Sequence, residues 1–303
     1  MQTIKSKNAI SSSRTDRAFY HTCGAIMIIL TLAVLYPVIF VISASFSNAD
    51  RLVAGDVWLW PVSVSLDAYK LLFSYNQLWT GYFNTIVYTV TGTLLNLAMT
   101  LICAYPMARK NLVGRGPLMM FFSFTMLFSG GMIPNYILVK SLGLLNTRLA
   151  MLLPGAMSIY NMIVARTFIQ TSIPDEMLEA AQIDGCNDFQ FFYQMVLPLS
   201  KSIIAVLALW YGVGHWNAYF NAFLYLKDRD LYPLQIFLKD ILVQSEEISI
   251  SEADYNTVGA VSENISVAIR YCMIVVSTVP LFCVYPFVSK HFEKGVMIGS
   301  VKG

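Results

Sequence analysis

Charged residues are scarce in this sequence. Asp, Glu, Lys and Arg make up 13% of the 303 residues, whereas 56% are hydrophobic. Soluble domains typically carry about 25% charged residues, so this composition argues against a soluble fold. The formal net charge is only +2, and we therefore expect no broad basic surface for nucleic acid.

Residues that usually hold metals or form catalytic sites are also few. The three histidines, His21, His215 and His291, lie far apart in the sequence. The five cysteines include no Cys-x-x-Cys pair, and four of them lie in apolar segments, where cysteine behaves as a small hydrophobe. The motifs of zinc proteases, serine hydrolases and P-loop ATPases are missing. We therefore expect no catalytic residue, no metal site and no ATP bound by this chain.

The sequence is instead rich in long apolar runs. Six of them reach the roughly 20 residues that a helix needs to cross a bilayer. They cover residues 23–45, 82–105, 117–139, 149–170, 202–224 and 265–288. Membrane-spanning strands would give alternating blocks of about ten residues, which is not the pattern here. The sequence predicts an all-α integral membrane protein with six transmembrane helices.

Lys and Arg residues indicate the orientation. With the N-terminus in the cytoplasm, twelve of the 20 fall on the cytoplasmic side and seven outside, while Arg270 lies within the sixth span. This bias follows the positive-inside rule, so both termini are expected in the cytoplasm. The predicted parts are a cytoplasmic tail of residues 1–22, a six-helix domain of residues 23–288 with its core at 82–288, and a cytoplasmic tail of residues 289–303.

A polar loop of residues 171–201 stands out between the fourth and fifth predicted spans, on the cytoplasmic side. Ser172 and Asp175 form a capping-box-like pair that predicts a first helix, and Gly185 suits the left-handed position at its end. Pro198 is expected to end or kink a second helix. We therefore expect two short cytoplasmic helices in this loop.

The loop also has features of a docking surface. Asn187 with Gln190 can start its second helix. In the first helix, Ala180 and Ala181 are small side chains that let another surface approach the backbone closely. A helix resting on the membrane would prefer Lys or Arg on its polar face, whereas this one is acidic. A protein partner that holds the helix in a groove is therefore the preferred interpretation.

Residue spacing in the loop resembles the signature of binding-protein-dependent ABC importer permeases. That signature is E-A-A, three residues, G, nine residues, an apolar residue, one residue, then L-P. Here it is formed by Glu179, Ala180, Ala181, Gly185, Met195, Leu197 and Pro198. Met195 stands where the family usually has Ile. The segment "HWNAYFNAFLYL" is similar to maltose-type carbohydrate permeases. "FSGGMIPNYILV" and "YPFVSKHFEKGVMIGSVKG" resemble the branch for oligosaccharides from pectin-like or alginate-like polysaccharides.

The resemblance implies a mechanism and a set of partners. The loop would sit in a cleft of a cytoplasmic ATPase, and closure of two ATPases would switch a pair of permeases between inward-facing and outward-facing states. The implied partners are a second homologous permease, two ATP-binding cassette subunits that hold ATP and Mg²⁺, a solute-binding protein outside, and an oligosaccharide. The implied location is the bacterial cytoplasmic (inner) membrane. The implied coupling residues are Glu179, Ala180, Ala181, Asp184, Gly185, Leu197 and Pro198.

Several residues in the predicted spans keep two interpretations. Gly130, Gly131 and Pro134 form either a packing kink or a gate. Six polar or aromatic residues either pack at helix ends or line the translocation pathway: Tyr211, His215, Trp216, Asn217, Tyr219 and Arg270. The Arg270 side chain either extends to the membrane surface or pairs with a carboxylate, from Glu263 or an acidic substrate.

Two competing functions remain open on the sequence alone. A stand-alone secondary transporter would use carboxylates inside the membrane for coupling, and none of the six predicted spans contains Asp or Glu. An ABC importer of a non-sugar solute would share the same loop signature.

Overall fold

The computed structural model describes residues 14–247 and 263–300. Every regular element in these ranges is helical, in agreement with the predicted all-α class. The α-helices are α1 (Arg14–Ser45), α2 (Ala49–Val53), α3 (Asp67–Ser74), α4 (Asn76–Ala108), α5 (Arg115–Leu127), α6 (Met132–Ser141), α7 (Leu149–Leu152), α8 (Ile159–Ser172), α9 (Asp175–Ile183), α10 (Asp188–Phe191), α11 (Leu197–Leu199), α12 (Lys201–Trp216), α13 (Phe220–Tyr225), α14 (Leu234–Glu247) and α15 (Glu263–Ser300). A π-helix, Phe192–Val196, joins α10 to α11, and Arg229–Leu231 forms a 3₁₀ turn.

The described residues belong to two compact units, which are taken separately. The first comprises described residues of Met1–Lys70 and Ala253–Val275, and the second those of Leu71–Glu252 and Val276–Gly303. In the first unit, buried serines bind the loop that follows α1. Ser43 Oγ donates to the Leu59 carbonyl (2.7 Å), and the N–H of Val62 donates to Ser47 Oγ (3.0 Å). These bonds fix the loop against the end of α1.

Helix α4 is the centre of the second unit. Its 33 residues correspond to a length of about 50 Å, and it packs along α8, α12 and α14. One row of residues, spaced four apart, is buried along it: Asn84, Tyr88, Gly92, Asn96, Thr100 and Ala104. Residues at this spacing lie on one face of a helix, so the row forms the seam between α4 and its neighbours.

The main apolar core of the second unit lies at the C-terminal end of α4. It includes Ala104, Met107, Met162, Ile169, Leu178, Ala181, Phe191, Val196 and Leu207. These residues come from α4, α8 and α12, and also from α9, α10 and the π-helix. The polar loop predicted from the sequence is therefore packed into the same core as the long helices.

Among the described residues, three helices are long and apolar enough to cross a membrane: α1, α4 and the Asn264–Pro286 part of α15. Two bent pairs raise the number to five if each pair counts as one span, namely α5 with α6 and the segment Asp188–Leu199 with α12. The structure thus has several apolar helices, although not six continuous ones. Helix α15 continues to Ser300, past the predicted end of the sixth span at residue 288.

The predicted span over residues 117–139 is broken at the glycines for which a kink or a gate was expected. Two helices, α5 and α6, take its place and meet at 110°. Gly130 and Gly131 lie in the break, and Gly131 has a φ angle of +87°, a left-handed conformation that favours glycine. Pro134 falls in the first turn of α6, where its missing N–H interrupts no helical hydrogen bond.

The predicted fourth and fifth spans are also divided. Residues 149–170 form α7 and α8, with an irregular segment containing Pro154 and Gly155 between them. The carbonyl of Gly155 accepts a hydrogen bond from Asn96 Nδ2. Irregular backbone at membrane depth needs such partners because lipid offers none. Residues 202–224 form most of α12 and then α13.

Candidate functional site: the polar elbow

The polar loop folds as two short helical stretches, α9 and α10 to α11, which we call the elbow (residues 175–199). The prediction of two short helices is confirmed. The predicted capping pair of Ser172 with Asp175 is wrong, because Ser172 is the last residue of α8 and no side chain caps the start of α9. Pro174, in an extended conformation, precedes α9 instead, and the Asp175 carboxylate binds Lys110.

Asp175 is an electrostatic link between the elbow and the end of α4. Its carboxylate lies 2.9 Å from Lys110 Nζ and 3.7 Å from Arg109 Nη1. The hydrogen bond from Lys110 is the main reason that the pKa of Asp175 lies below its usual value. The same bond raises the pKa of Lys110. An acid in the first turn also suits the positive end of the helix dipole.

Helix α9 ends in a Schellman motif. Gly185 has a φ angle of +83°, and its N–H donates to the Gln182 carbonyl (3.0 Å). The N–H of Cys186 donates to the Ala181 carbonyl (2.9 Å). These paired bonds satisfy carbonyls at the helix end and require a left-handed residue, usually glycine. The predicted helix end at Gly185 is confirmed.

The second half of the elbow starts with a capping box. Asn187 Oδ1 accepts from the N–H of Gln190 (2.8 Å), and Gln190 Oε1 accepts from the N–H of Asn187 (3.0 Å), as predicted. Further on, the N–H of Leu197 donates to the carbonyl of Phe192, five residues earlier. Pro198 follows and has no N–H to continue the helical pattern. The elbow then meets α12 at an angle of 78°.

The elbow has an inner and an outer face. On the inner face, Leu178 and Ala181 pack into the main core, so Ala181 contacts its own chain. The outer face exposes Glu179, Ala180, Asp184 and Gly185. Large apolar side chains of the elbow are exposed as well, and the two most exposed are Ile183 at 87% and Phe189 at 77%. The outer face therefore combines acidic groups with apolar side chains that the described residues leave uncovered.

Two of the predicted pathway residues are engaged in contacts with the buried row of α4. The Tyr211 hydroxyl shares a hydrogen bond of 2.7 Å with Thr100 Oγ1. His215 Nε2 donates to Asn96 Oδ1. Both side chains come from α12, so these bonds join α12 to α4 along the seam.

The remaining predicted pathway residues are distributed differently. Trp216 is buried and its Nε1 donates to the Ser277 carbonyl (3.0 Å). Asn217 and Tyr219 are exposed. Arg270 is half-buried in α15, and its Nε has no hydrogen-bond partner among the described residues. Within the second unit, three of these side chains are therefore held in packed contacts and two are exposed.

Polar residues of α4 bind the segment before α14, and they were not among the residues predicted from the sequence. Asn84 Nδ2 donates to the carbonyls of Asp230 (2.7 Å) and Tyr232 (3.1 Å), and Asn84 Oδ1 accepts from Arg148 Nη2 (3.1 Å). The signal was present as polar and small residues every four positions through an apolar run. Such a repeat indicates a buried seam, because polar groups inside a membrane need protein partners.

No group of three His, Cys, Asp or Glu side chains that could hold a metal ion occurs in the part of the chain that the structure describes. The fold defines a class, that of helical proteins with several helices long and apolar enough to cross a membrane. Broken helices of the kind seen here are typical of transporters in that class.

Comparisons with known proteins identify the family. Residues 97–228 match the family described as "Binding-protein-dependent transport system inner membrane component". The chain is 40% identical to the polygalacturonan/rhamnogalacturonan transport system permease protein YtcP of Bacillus subtilis (strain 168) over 288 residues, or 95% of this chain and 99% of the relative. It is also 40% identical to protein LplC of the same strain over 269 residues, which cover 89% and 90% of the two chains.

A solved structure is similar over almost the same extent. It is the crystal structure of a bacterial ABC transporter involved in the import of the acidic polysaccharide alginate. The identity is 33%, the TM-score is 0.84, and the match covers 92% of this chain and 98% of the other. The chain belongs to the family of binding-protein-dependent transport inner membrane components, and it is a permease of an ABC importer. The resemblance stated from the elbow signature is thereby confirmed.

Proposed function

We propose that this permease imports oligosaccharides, including uronate-containing ones, as one subunit of an ATP-driven complex. The observation that carries the proposal is the 40% identity to a polygalacturonan/rhamnogalacturonan permease over nearly the whole of both chains. The structural relative at 33% identity takes part in import of alginate. Polygalacturonan and alginate are both polymers of uronic acids, so an acidic oligosaccharide is the shared substrate class.

In the proposed topology the chain crosses the cytoplasmic membrane six times and both termini are cytoplasmic. The broken pairs α5–α6, α7–α8 and α12–α13 each serve as one span, and the elbow lies on the cytoplasmic side. The excess of Lys and Arg on that side supports this orientation. Arg109 and Lys110, directly after α4, contribute to the excess, as does Arg166 of α8, which binds the end of α4.

The elbow is the proposed contact with an ATP-binding cassette subunit, which would hold ATP and Mg²⁺. Its outer face has Ile183 and Phe189 for an apolar centre and Glu179 and Asp184 for a charged rim. This combination is common in protein interfaces. Ala181 supports the contact from inside, because a larger side chain there would push α9 away from the core.

The packing of the elbow supports a direct mechanical link to the transport path. Leu178 in α9 and Phe191 in α10 belong to the same core as α4, α8 and α12. Protein interiors are close-packed and transmit strain. When two ATPases close around ATP, the displaced elbow therefore has to move these helices. A second homologous permease would provide the other half of the path, and a solute-binding protein would deliver the sugar.

A co-purification experiment tests the ATPase contact. The tagged permease is isolated from native membranes as wild type, as Ile183→Glu with Phe189→Glu, and as Val113→Glu. Val113 is 93% exposed but lies outside the elbow, so it is the matched control. We expect the elbow variant to lose bound ATPase by about tenfold or more, since charges placed in an apolar interface centre are costly, while the control keeps it. Normal ATPase recovery with the elbow variant would contradict the assignment.

Uptake by the reconstituted complex tests the substrate class. Proteoliposomes that contain the permeases and ATPases receive the solute-binding protein loaded with a galacturonic oligosaccharide or with a neutral glucose oligosaccharide of equal length. We expect ATP-dependent uptake of the uronic compound. Uptake without ATP, or of neither sugar, would overturn the proposal.

A further inference from the structure

Arg109, directly after the last residue of α4, is a buried cation. It is 7% exposed, and its guanidinium carbon lies 4.8 Å from the ring centroid of Tyr105 and 5.0 Å from that of Phe191. Tyr105 belongs to α4 and Phe191 to α10. The guanidinium is therefore held between a ring of α4 and a ring of the elbow.

The charge of Arg109 is only partly compensated. The Asp175 carboxylate at 3.7 Å is its anionic partner. The Nε and Nη2 atoms are buried and have no hydrogen-bond acceptor in residues 14–247 or 263–300. Burial of an incompletely paired charge is costly, and the ring faces offset a part of that cost. An apolar side chain would fill the same space without this cost, which indicates that the charge has a role here.

Two more hydrogen bonds join the same end of α4 to α8. Arg166 Nε donates to the carbonyl of Met107 (2.9 Å), and Gln170 Nε2 donates to that of Ala108 (3.1 Å). These carbonyls are at the C-terminus of α4, where no later N–H of the helix can reach them. Because α8 leads into α9 after only two residues, α4, α8 and the elbow are joined at one point.

We infer that Arg109 is the joint that transmits movement of the elbow to α4. The inference rests on the proposed function, since it concerns how an ATPase-driven displacement reaches the transport path. Arg109 contacts α9 through Asp175, α10 through Phe191 and α4 through Tyr105 and its own backbone. It is a positioning residue, which acts through the helices that it connects.

Helix α4 is suited to carry such a movement across the second unit. It is continuous over 33 residues. Near its other end, Asn84 Nδ2 donates to the Asp230 carbonyl (2.7 Å) and the Tyr88 hydroxyl donates to the Leu231 carbonyl (2.8 Å). A shift applied at Arg109 would therefore reach the segment around residue 231 through one rigid element.

The joint also has space in which to move. A polar cavity of about 190 Å³ lies beside it and is lined by Arg109, Lys110, Gln170, Asp175 and Glu176, among others. Because this space is not filled by apolar side chains, the Asp175 carboxylate can shift between the two neighbouring cations without displacing the core.

The test uses the complete complex in proteoliposomes and measures both ATP hydrolysis and substrate uptake. The variants are Arg109→Gln, Arg109→Lys and Asp175→Asn, and Lys201→Gln is the control that removes a cation outside the cluster. We expect Arg109→Gln and Asp175→Asn to assemble with ATPase and hydrolyse ATP, while the amount imported per ATP falls about tenfold. The amount imported per ATP by Arg109→Lys should lie between the values for Arg109→Gln and wild type. The value for Lys201→Gln should equal that of wild type.

A merely structural role would give a different pattern. The yield of assembled complex would fall, while import per ATP in the complexes that do assemble would stay at the wild-type value; this outcome overturns the inference. If Arg109→Gln fails to accumulate, the import per ATP measured for Arg109→Lys and Asp175→Asn decides between the two roles instead. If the wild-type complex itself does not couple ATP to uptake, the proposed function fails rather than the role of Arg109.

Discussion

Gly92 of α4 lies directly against the imidazole of His215 of α12. A Cβ atom at position 92 would come within 2.4 Å of His215 Nε2 and 2.5 Å of Cε1. The absence of a side chain lets the ring lie against the α4 backbone and donate to Asn96 Oδ1. The close approach of the two helices therefore depends on glycine at this position.

The substitution Gly92→Ala should therefore separate α4 from α12. The His215 ring cannot stay in place beside a methyl group. We therefore expect the free energy of unfolding to fall by roughly 1–3 kcal/mol, as for other overpacked interiors. The measurement is thermal unfolding of the purified permease in detergent. Gly212→Ala is the matched control on α12, because its Cβ would meet nothing closer than 3.7 Å. Equal melting temperatures for both variants would contradict this account.

The elbow shows which features of the fold local sequence signals can predict. Gly185 and the Asn187–Gln190 pair were interpreted correctly, because their hydrogen bonds join residues that are neighbours in sequence. The Ser172–Asp175 pair was not, because the Asp175 carboxylate binds Lys110, which lies two residues beyond the end of α4. A tertiary ion pair of this kind leaves no trace in the local pattern.

The broken spans show what the hydropathy of a sequence cannot predict. Hydropathy measures the length of an apolar run, so α1, α4 and much of α15 were predicted well. It does not report where the backbone can bend, because a bend requires partners from elsewhere. The irregular segment at Gly155 is satisfied by Asn96 of α4. The buried cation Arg109 was missed as well, since the rings around it come from two separate helices.

Gly185→Ala should weaken the elbow without a steric clash. A Cβ at position 185 would meet no atom within 4 Å, but the φ angle of +83° is unfavourable for an L-residue. We expect a cost of roughly 1 kcal/mol at this turn, and a smaller one for Gly185→Asn, because asparagine tolerates the left-handed conformation. Hydrogen exchange at the amides of residues 185 and 186 measures this loss of local stability. Gly116→Ala, also unobstructed but with no positive φ, is the control that should leave these amides unchanged.

Asn84→Ala should release the segment that precedes α14. The change leaves the carbonyls of Asp230 and Tyr232 without their donor and Arg148 Nη2 without its acceptor. A loss of about 1–3 kcal/mol is expected for buried groups left unpaired. Limited proteolysis between residues 226 and 234 reports the effect as faster cleavage. Thr91→Val, at an exposed position of the same helix, should be cleaved at the wild-type rate. If Thr91→Val is also cleaved faster, the effect comes from a change in α4 as a whole and not from Asn84.

The Asp175–Lys110 pair should stabilise the elbow at a constant level around neutral pH. The pKa of Asp175 is lowered from 3.8 in the folded chain, so its contribution is complete above that value and is lost as the pH falls through the lowered pKa. The pKa of Lys110 is raised from 10.5, so its contribution is complete below that value and is lost as the pH rises through the raised pKa.

Hydrogen exchange at the first turn of α9, corrected for intrinsic rates, tests this pH dependence. We expect constant protection between about pH 5 and pH 9, and weaker protection in Asp175→Asn by roughly a factor of two to five at low salt. High salt should reduce the difference between the two proteins. A marked change of protection near pH 7 in the wild type would mean that another group controls this turn.

Arg270 offers a test of substrate charge, given the proposed uptake of uronates. Its Nε is buried without a hydrogen-bond partner in the described part of the chain, and a cation in a membrane-spanning helix usually faces protein or an aqueous cavity. Arg270→Gln should lower uptake of a uronic oligosaccharide about tenfold relative to a neutral one, as expected for loss of a buried charge partner, and Arg270→Lys should retain most of it. If both sugars slow equally, Arg270 has a structural role. If neither changes, its side chain extends to the membrane surface, away from the path.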